Sequence, residues 1–157
     1  MQNYFNSFKK NAFRVEILQS YDVSEEQDAY DYFLLNRKLP EWSQDEWLNI
    51  IKQAKARWAT MQRVHLIQFP ISQYLSFELE EYKNNIKAWE KIFYIHFENC
   101  SIKIESDFWI FDDNTVLKMN YDKNGSFINF EEIKDVTTYL KIKKYLLENK
   151  KDIEELF

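Results

Sequence analysis

The chain has 157 residues, of which 45% are apolar and 18% aromatic, and its formal net charge is −5. That length fits a single domain, residues 1–157, with a sizeable core rich in aromatic rings. An acidic chain does not attract phosphate backbones through its overall field, so we expect no direct contact with nucleic acid. No stretch approaches about 18 apolar residues, so we expect no membrane span.

The charge is uneven along the chain. Residues 1–70 carry nine basic and nine acidic side chains, whereas residues 71–157 carry twelve and seventeen, which gives the whole −5. An acidic face of this kind can approach a basic partner, for instance a nucleic-acid-binding protein. The one cysteine, Cys100, cannot form a disulfide framework, and this indicates a reducing, cytoplasmic compartment.

The first two thirds of the chain predict strands that alternate with helices. Residues 11–18 alternate apolar and polar side chains, which is typical of a strand with one buried face. Residues 62–69 and 91–97 are apolar and rich in β-formers, so they predict two further strands. Apolar side chains recur at helical spacing in three segments, which predict helices at 24–36, 43–59 and 72–88.

The stretch "DFWIFDDNTVLKMNYDKNGSF", residues 107–127, predicts two tight turns between three strands. Asp112 and Asp113 suit the first turn because aspartate tolerates left-handed backbone conformations. Asn124 and Gly125 suit the second turn by supplying positive φ angles. Together with the residues up to 132, this stretch predicts a three-stranded meander.

The last predicted element is a helix that begins after Asp135. Lys143 and Lys150 interrupt its apolar stripe, which leaves two possibilities. Its apolar residues are partly exposed and complete their burial against another chain, or the helix packs on its own domain and frays at the end. The residues concerned are Ile142, Tyr145, Ile153 and Phe157.

The order of these elements predicts an α+β fold. Several neighbouring strands must be antiparallel, and the helices can cover one face of the sheet. We therefore expect a mixed, mostly antiparallel sheet of about six strands, with the meander in the C-terminal half and the helices packed on the sheet.

Familiar catalytic and metal-binding patterns are missing from the sequence. Asp107 and Asp113 lie near opposite ends of one predicted strand, so Asp107, Asp112 and Asp113 do not converge on a hard cation. His65 and His96 have no nearby cysteines and do not match a zinc site. A single glycine excludes a P-loop, a dinucleotide-binding loop and a nucleophile elbow. We expect no metal and no cofactor.

A polar strand face is the most interesting candidate for binding. If residues 11–18 and 62–69 share a sheet, Arg14, Glu16 and Arg63 can lie on the same face. An arginine pair placed there could bind a carboxylate or a phosphate with two hydrogen bonds from each guanidinium. The alternative is a solvated sheet face that is held together by salt bridges.

Three segments resemble a bacterial family, domain of unknown function 6879. They read "FRVEILQSYDVSEEQDAYDYFL", "RVHLIQFPISQYLSFELEEYKNNIKAWEKIFYI" and "DFWIFDDNTVLKMNYDKNGSF", and they cover about half the chain in the family's order. Trp89 stands where the family has a glycine. The resemblance implies a gene beside a helix-turn-helix regulator, and it implies no catalytic residues. The residues that match the family pattern are candidates for binding: Arg14, Glu16, Arg63, Tyr74, Glu90, Asp107, Trp109 and Asp112.

Three hypotheses for function remain open. The first is a non-catalytic interaction module of a bacterial regulatory or mobile-element system, whose partner is a DNA-binding regulator or a second copy of the chain. The second is a small enzyme acting on a nucleotide or nucleic acid, and the third is an acidic inhibitor that mimics nucleic-acid charge. Convergence of five side chains in one cleft would favour the enzyme, and their spread over a flat face would favour the module. These are Glu16, Glu90 and Asp107 with Arg14 and Arg63.

Overall fold

The computed structural model describes residues 1–157 as one seven-stranded sheet with helices on both faces. This confirms the α+β class. The strands are β1 (Asn11–Glu16), β2 (Thr60–Ile67), β3 (Glu90–His96), β4 (Phe108–Phe111), β5 (Thr115–Tyr121), β6 (Phe127–Ile133) and β7 (Lys151–Asp152). The helices are α1 (Gln2–Ser7), α2 (Gln27–Asn36), α3 (Asp45–Ala56), α4 (Gln73–Lys87) and α5 (Thr137–Asn149).

The strands lie in the order β6-β5-β4-β1-β2-β3-β7. The pairs β1–β2 and β2–β3 are parallel, and the other four pairs are antiparallel. The helices α2, α3 and α4 lie in the crossovers that parallel neighbours require. The mixed, mostly antiparallel sheet is as predicted. Its seventh strand is β7, which was not expected because two residues are too few to show a periodic pattern.

The two faces of the sheet carry separate cores. On one face, α1 and α3 pack on Ala12 and Trp109 among other residues, and α4 packs on β3 beside them. On the opposite face, α5 packs on Phe13 and Val15, so helices cover both faces and the expectation of one covered face is wrong. Since β1 is covered on both sides, five of its six residues are buried, and the expectation of a single buried face is wrong for this strand. None of the helices combines the length and the apolar character that crossing a membrane requires.

The meander is present, and residues 107–130 contain no helix. In its first turn, Asp112 and Asp113 have φ angles of 53° and 58°, the left-handed backbone expected for them. In the second turn only Gly125 has a positive φ, at 87°, and Asn124 does not. A register shift at Asn120 and Tyr121 accompanies this turn, so it differs from the expected two-residue turn.

The end of the chain differs from the expected long helix. Helix α5 ends at Asn149, and the next residues pair with β3 as β7. This pairing returns the chain to the sheet, so Ile153 is fully buried beside α4 rather than exposed. Tyr145 is half-buried, and its hydroxyl oxygen accepts a hydrogen bond from the Ser101 N–H at 2.9 Å. The helix therefore packs on its own domain, while Phe157 is 46% exposed.

Candidate functional site

A cleft of about 420 Å³ opens on the sheet face that carries α1, α3 and α4. Arg14 of β1 lies opposite Arg63 of β2 and opposite Trp109 of β4, so the three side chains meet at the centre of the sheet. The aromatic residues that line the cleft come from loops, helices and strands: Phe5, Tyr21, Trp42, Trp47, Tyr74, Trp109, Tyr121 and Phe127.

Glu16 joins the two arginines. Arg63 donates from Nη1 to Oε1 and Oε2 of Glu16 at 2.9 and 3.1 Å, and Arg14 donates from Nε to Oε1 at 3.3 Å. Burial would raise the pKa of Glu16, but the Arg63 and Arg14 guanidinium groups outweigh it and lower that pKa to about 2. Glu16 is therefore ionised throughout the neutral range. It also separates two like charges that stand opposite each other in the sheet.

Asp107 is the second partner of Arg14. Its Oδ2 accepts from Arg14 Nη2 at 3.0 Å and from the Tyr21 hydroxyl at 2.5 Å, and its Oδ1 accepts from the Ile17 N–H at 2.9 Å. Burial raises the pKa of Asp107, and the attraction of Arg14 only partly offsets that effect. Tyr121 also accepts from Arg14 Nη2, at 2.9 Å, whereas Arg14 Nη1 is buried without a partner.

Glu90 is the second partner of Arg63. Its Oε1 accepts from Arg63 Nε at 3.0 Å, and its Oε2 accepts from Trp47 Nε1 at 3.3 Å. Glu90 is 2% exposed, so this pair lies behind the surface of the cleft and ties α3 to two neighbouring strands. The guanidinium of Arg63 also lies over the ring of Tyr82, at 5.2 Å.

His65 lies beside this network and is fully buried. Its Nε2 is 2.8 Å from the Leu18 carbonyl oxygen, a contact that requires the proton on Nε2. Its Nδ1 is 3.0 Å from the Tyr82 hydroxyl, which is also 3.0 Å from Oε2 of Glu16. Burial lowers the pKa of His65, so the ring is neutral and competes with Glu16 for one phenolic proton.

Helix α4 adds carboxyl groups that were not predicted. Burial raises the pKa of Glu78 well above its ordinary value, and it raises the pKa of Glu81 to about 9. Glu78 Oε2 is buried without a hydrogen-bond partner. Tyr74, Glu78, Glu81 and Asn85 all line the cleft, and their spacing of three or four residues puts them on one helix face. That spacing could have revealed the polar face of α4 in the sequence. It was missed because the apolar residues of the same helix form a stronger periodic pattern.

Glu26 faces α4 from the short 3₁₀ helix that precedes α2. It accepts a hydrogen bond from the Tyr74 hydroxyl at 3.0 Å. Burial raises the pKa of Glu26 and outweighs the lowering by that hydrogen bond. Of the five glutamates that line the cleft, Glu16 and the exposed Glu25 have lowered pKa values, whereas Glu26, Glu78 and Glu81 have raised pKa values.

The structure thus gathers seven of the eight residues chosen as binding candidates. Arg14, Glu16, Arg63, Tyr74 and Trp109 line the cleft, with Glu90 and Asp107 bonded to the arginines behind them. Asp112 lies instead in the turn after β4. Its carboxylate accepts hydrogen bonds of 2.6 to 3.1 Å from three backbone N–H groups, those of Lys9, Lys10 and Asn11.

The chemistry of the cleft rests on ion pairs and proton-bearing carboxyl groups. No cluster of three or more His, Cys, Asp or Glu side chains is placed to hold a metal ion. The guanidinium groups of Arg14 and Arg63 compensate the charges of Glu16, Asp107 and Glu90.

One family model matches the chain from residue 1 to residue 149, and its description is "Domain of unknown function (DUF6879)". Among the curated proteins, none matches the chain. The family match spans nearly the whole sequence, including every residue of the cleft, and the chain belongs to the DUF6879 family.

Proposed function

We propose that the chain is a small enzyme that takes the base of a nucleotide, free or within a strand, into the cleft. The observation that carries the proposal is the convergence of five side chains. Arg14, Glu16 and Arg63 line the cleft, and Glu90 and Asp107 hold the two arginines from behind. Ion pairs that only stabilised a sheet would not need to lie beneath a cavity.

The charges of the cleft point to the base rather than to the phosphate. Five glutamates but only two arginines line it: Glu16, Glu25, Glu26, Glu78 and Glu81 against Arg14 and Arg63. Carboxylates such as Glu16 accept hydrogen bonds from ring and amino N–H groups, and both arginines are already paired with Glu16, Asp107 or Glu90, so they offer phosphate no uncompensated charge. Aromatic walls provide surfaces for stacking. The phosphate of a bound nucleotide would therefore remain outside the cleft.

The opposite pKa shifts of Glu78 and Glu16 suit these two carboxyl groups to acid–base catalysis. Burial raises the pKa of Glu78 well above its ordinary value, so Glu78 holds a proton more tightly than a surface glutamate and can act as a general acid. Glu16, with a pKa of about 2, stays ionised and can accept a hydrogen bond or stabilise a positive charge. Two carboxyl groups with opposite pKa shifts in one cleft are the arrangement that acid–base catalysis uses.

The test compares two neighbouring glutamates of α4. Glu78→Gln keeps the shape of the side chain but removes the transferable proton, and we expect turnover of a nucleoside or nucleotide to fall by about 10²-fold or more. Glu80→Gln is the control, because the Glu80 side chain is 37% exposed and pairs with Lys83. Chromatography of bases, nucleosides and nucleotides after incubation measures turnover, and quenching of the cleft tryptophans measures binding.

Because carboxylates of the protein already pair with both arginines, we expect a nucleoside to bind more tightly than its nucleotide. If the wild-type protein binds no base, nucleoside or nucleotide at millimolar concentration, the proposal fails. It also fails if Glu78→Gln and Glu80→Gln turn over the substrate equally.

An interaction module is the second candidate, and strand β6 favours it. This strand lies at the edge of the sheet, so one side of its backbone has no partner. Phe127 and Ile128 at its start are 47% and 59% exposed. An open edge with exposed apolar residues can pair with a strand of a regulator or of a second copy. In this version the protein is an accessory of a bacterial regulatory or mobile-element system.

Sedimentation of the Ile128→Lys variant tests the module. A lysine on an edge strand opposes pairing, so a wild-type dimer should become a monomer with the same melting temperature. A monomeric wild-type protein that also fails to capture the adjacent regulator would exclude this candidate. The acidic inhibitor has less support, because the carboxyl groups that the structure gathers together are buried instead of displayed: Glu16, Glu78, Glu81, Glu90 and Asp107.

A cytoplasmic location is part of either proposal. It rests on the single cysteine, Cys100, which is free and half-buried. Fractionation of cells that express a tagged copy tests it.

A further inference from the structure

Two exposed tryptophans occupy backbone positions that disfavour any side chain. Trp58 follows the end of α3 with a φ of 64° and is 94% exposed. Trp89 follows the end of α4 with a φ of 88° and is 64% exposed. The left-handed region is costly for a residue that carries a Cβ atom.

The hydrogen bonds at the end of α3 show why glycine would suit this place better. The N–H of Trp58 donates to the Lys55 carbonyl at 2.9 Å, and the N–H of Ala59 donates to the Ala54 carbonyl at 3.0 Å. This pair of bonds is a Schellman motif, whose left-handed residue is usually glycine. At the end of α4, the N–H of Trp89 donates to the Ile86 carbonyl at 3.0 Å. Neither ring gains much burial in return, so neither tryptophan is explained by the stability of the fold.

The two rings line one groove of about 470 Å³, separate from the cleft. Lys52, Lys55 and Lys91 line it as well, and no acidic side chain does. The Lys55 ammonium lies 3.2 Å from the centroid of the Trp89 ring. In a chain with a net charge of −5, this groove combines local positive charge with exposed aromatic surface.

We propose that this groove binds single-stranded nucleic acid, with bases stacked on Trp58 and Trp89 and phosphates beside the three lysines. Aromatic platforms flanked by cations are how proteins hold single strands without reading their sequence. A duplex keeps its bases stacked on each other and offers only phosphates. The proposal does not depend on the enzyme proposed for the cleft. The net charge of the chain led us to expect no contact with nucleic acid. The groove differs from the rest of the chain because three lysines make it locally positive.

The experiment measures fluorescence anisotropy of labelled oligothymidylate and oligouridylate of about 12 nucleotides, with a DNA duplex for comparison. Trp58→Gly and Trp89→Gly should each weaken single-strand binding by about tenfold or more. Both should melt at the same temperature as the wild type or higher, because glycine relieves the backbone. Lost binding with retained or raised stability is a result that a structural role for the tryptophans would not produce.

Leu35→Ala is the matched control. Leu35 is 85% exposed on α2 and does not line the groove, so its variant should bind like the wild type. Trp58→Asn repeats the test with a side chain that tolerates the same backbone, in case glycine loosens the end of α3. If three lysines contact phosphates, the logarithm of the binding constant should fall against the logarithm of salt concentration with a slope of about −2.

Three results would overturn the proposal. One is the absence of saturable binding of either single strand by the wild type. Another is equal affinity for the duplex, which would remove the role of stacking. The third is a wild-type dimer that Trp58→Gly converts to a monomer without changing nucleic-acid binding, which would make the groove a protein interface.

Discussion

Arg14 and Asp107 form a buried ion pair, in which Nη2 lies 3.0 Å from Oδ2, between residues 93 positions apart in the chain. The pair joins β1 to the residue that precedes β4. Arg14 is 5% exposed and Asp107 is 1% exposed, so little water screens either charge. Removing either group should therefore cost more stability than removing one partner of a surface ion pair.

Asp107→Ala should lower the free energy of unfolding by about 3–5 kcal/mol, because it leaves the buried Nη2 of Arg14 without its carboxylate and only Glu16 still pairs with that guanidinium. Urea unfolding measures the change. The double variant Arg14→Met/Asp107→Ala should lose less than the sum of the single losses, since it removes both charges. Additive losses would contradict the pairing. Glu105→Ala breaks an exposed pair with Lys103 and should have no measurable effect.

A second prediction concerns pH. Glu81 has a pKa of about 9 in the folded chain against an ordinary value of about 4.5, so the folded state holds its proton more tightly. The stabilisation from that proton is complete below about pH 4.5 and is lost as the pH rises toward 9. Between about pH 7 and 9, the free energy of unfolding should therefore fall, by at most about 1.4 kcal/mol per pH unit for this group.

Urea unfolding at several pH values measures that slope. Glu81→Gln should reduce it and leave the part that comes from Glu78, whose pKa is also raised by burial. Glu80→Gln, an exposed neighbour on α4, should leave it unchanged. His65 adds a small slope of opposite sign near pH 7 and almost none above about pH 8, because the folded ring has a lowered pKa and the unfolded ring has its ordinary pKa of about 6.5. A slope that is the same in all three proteins would show that Glu81 ionises normally.

Strand periodicity explains why part of the cleft was predictable. Alternate residues of a strand share a face, so Arg14 and Glu16 necessarily point to the same side of β1. Arg63 joins them because β1 and β2 are direct neighbours. The meander was predictable for a similar reason, since its turns carry local backbone preferences that aspartate and glycine satisfy.

The rest of the cleft could not be predicted, because it depends on contacts between residues that are far apart in the sequence. Asp107 precedes β4 by one residue, and only the packing of the sheet brings it to Arg14 and to the Ile17 N–H. Glu78 and Glu81 resemble a solvated helix face until α2 covers α4 from the other side. Helix α1 has only six residues, too few for an apolar period to stand out.

A third prediction separates two neighbouring aspartates in the first meander turn. Asp112 accepts from the N–H groups of Lys9, Lys10 and Asn11, so Asp112→Ala should lower the free energy of unfolding by about 1–3 kcal/mol. Asp113 has a side chain 49% exposed and pairs with Lys143, so Asp113→Ala should cost about 0–1 kcal/mol.

Both aspartates have left-handed backbones, so the strain added by alanine is common to the two variants. Their difference therefore isolates the three hydrogen bonds of Asp112. Equal losses in urea unfolding would show that those bonds contribute little. Neither substitution should alter ligand binding, because neither residue lines the cleft.

The last prediction concerns Gly125, the only glycine of the chain. A Cβ atom at this position would lie 2.7 Å from the Ser20 carbonyl oxygen and 3.2 Å from Tyr21 Cα, and the φ of 87° would be strained as well. Gly125→Ala should therefore lower the free energy of unfolding by about 2 kcal/mol or more. It should also move the segment that places the Tyr21 hydroxyl 2.5 Å from Asp107, and so weaken ligand binding in the cleft.

Asn124→Ala, in the same turn but exposed, should change stability by no more than about 0.5 kcal/mol and leave binding intact. Urea unfolding together with tryptophan quenching by ligand distinguishes the two effects. A Gly125→Ala protein that is stable and binds normally would mean that the turn does not position Tyr21.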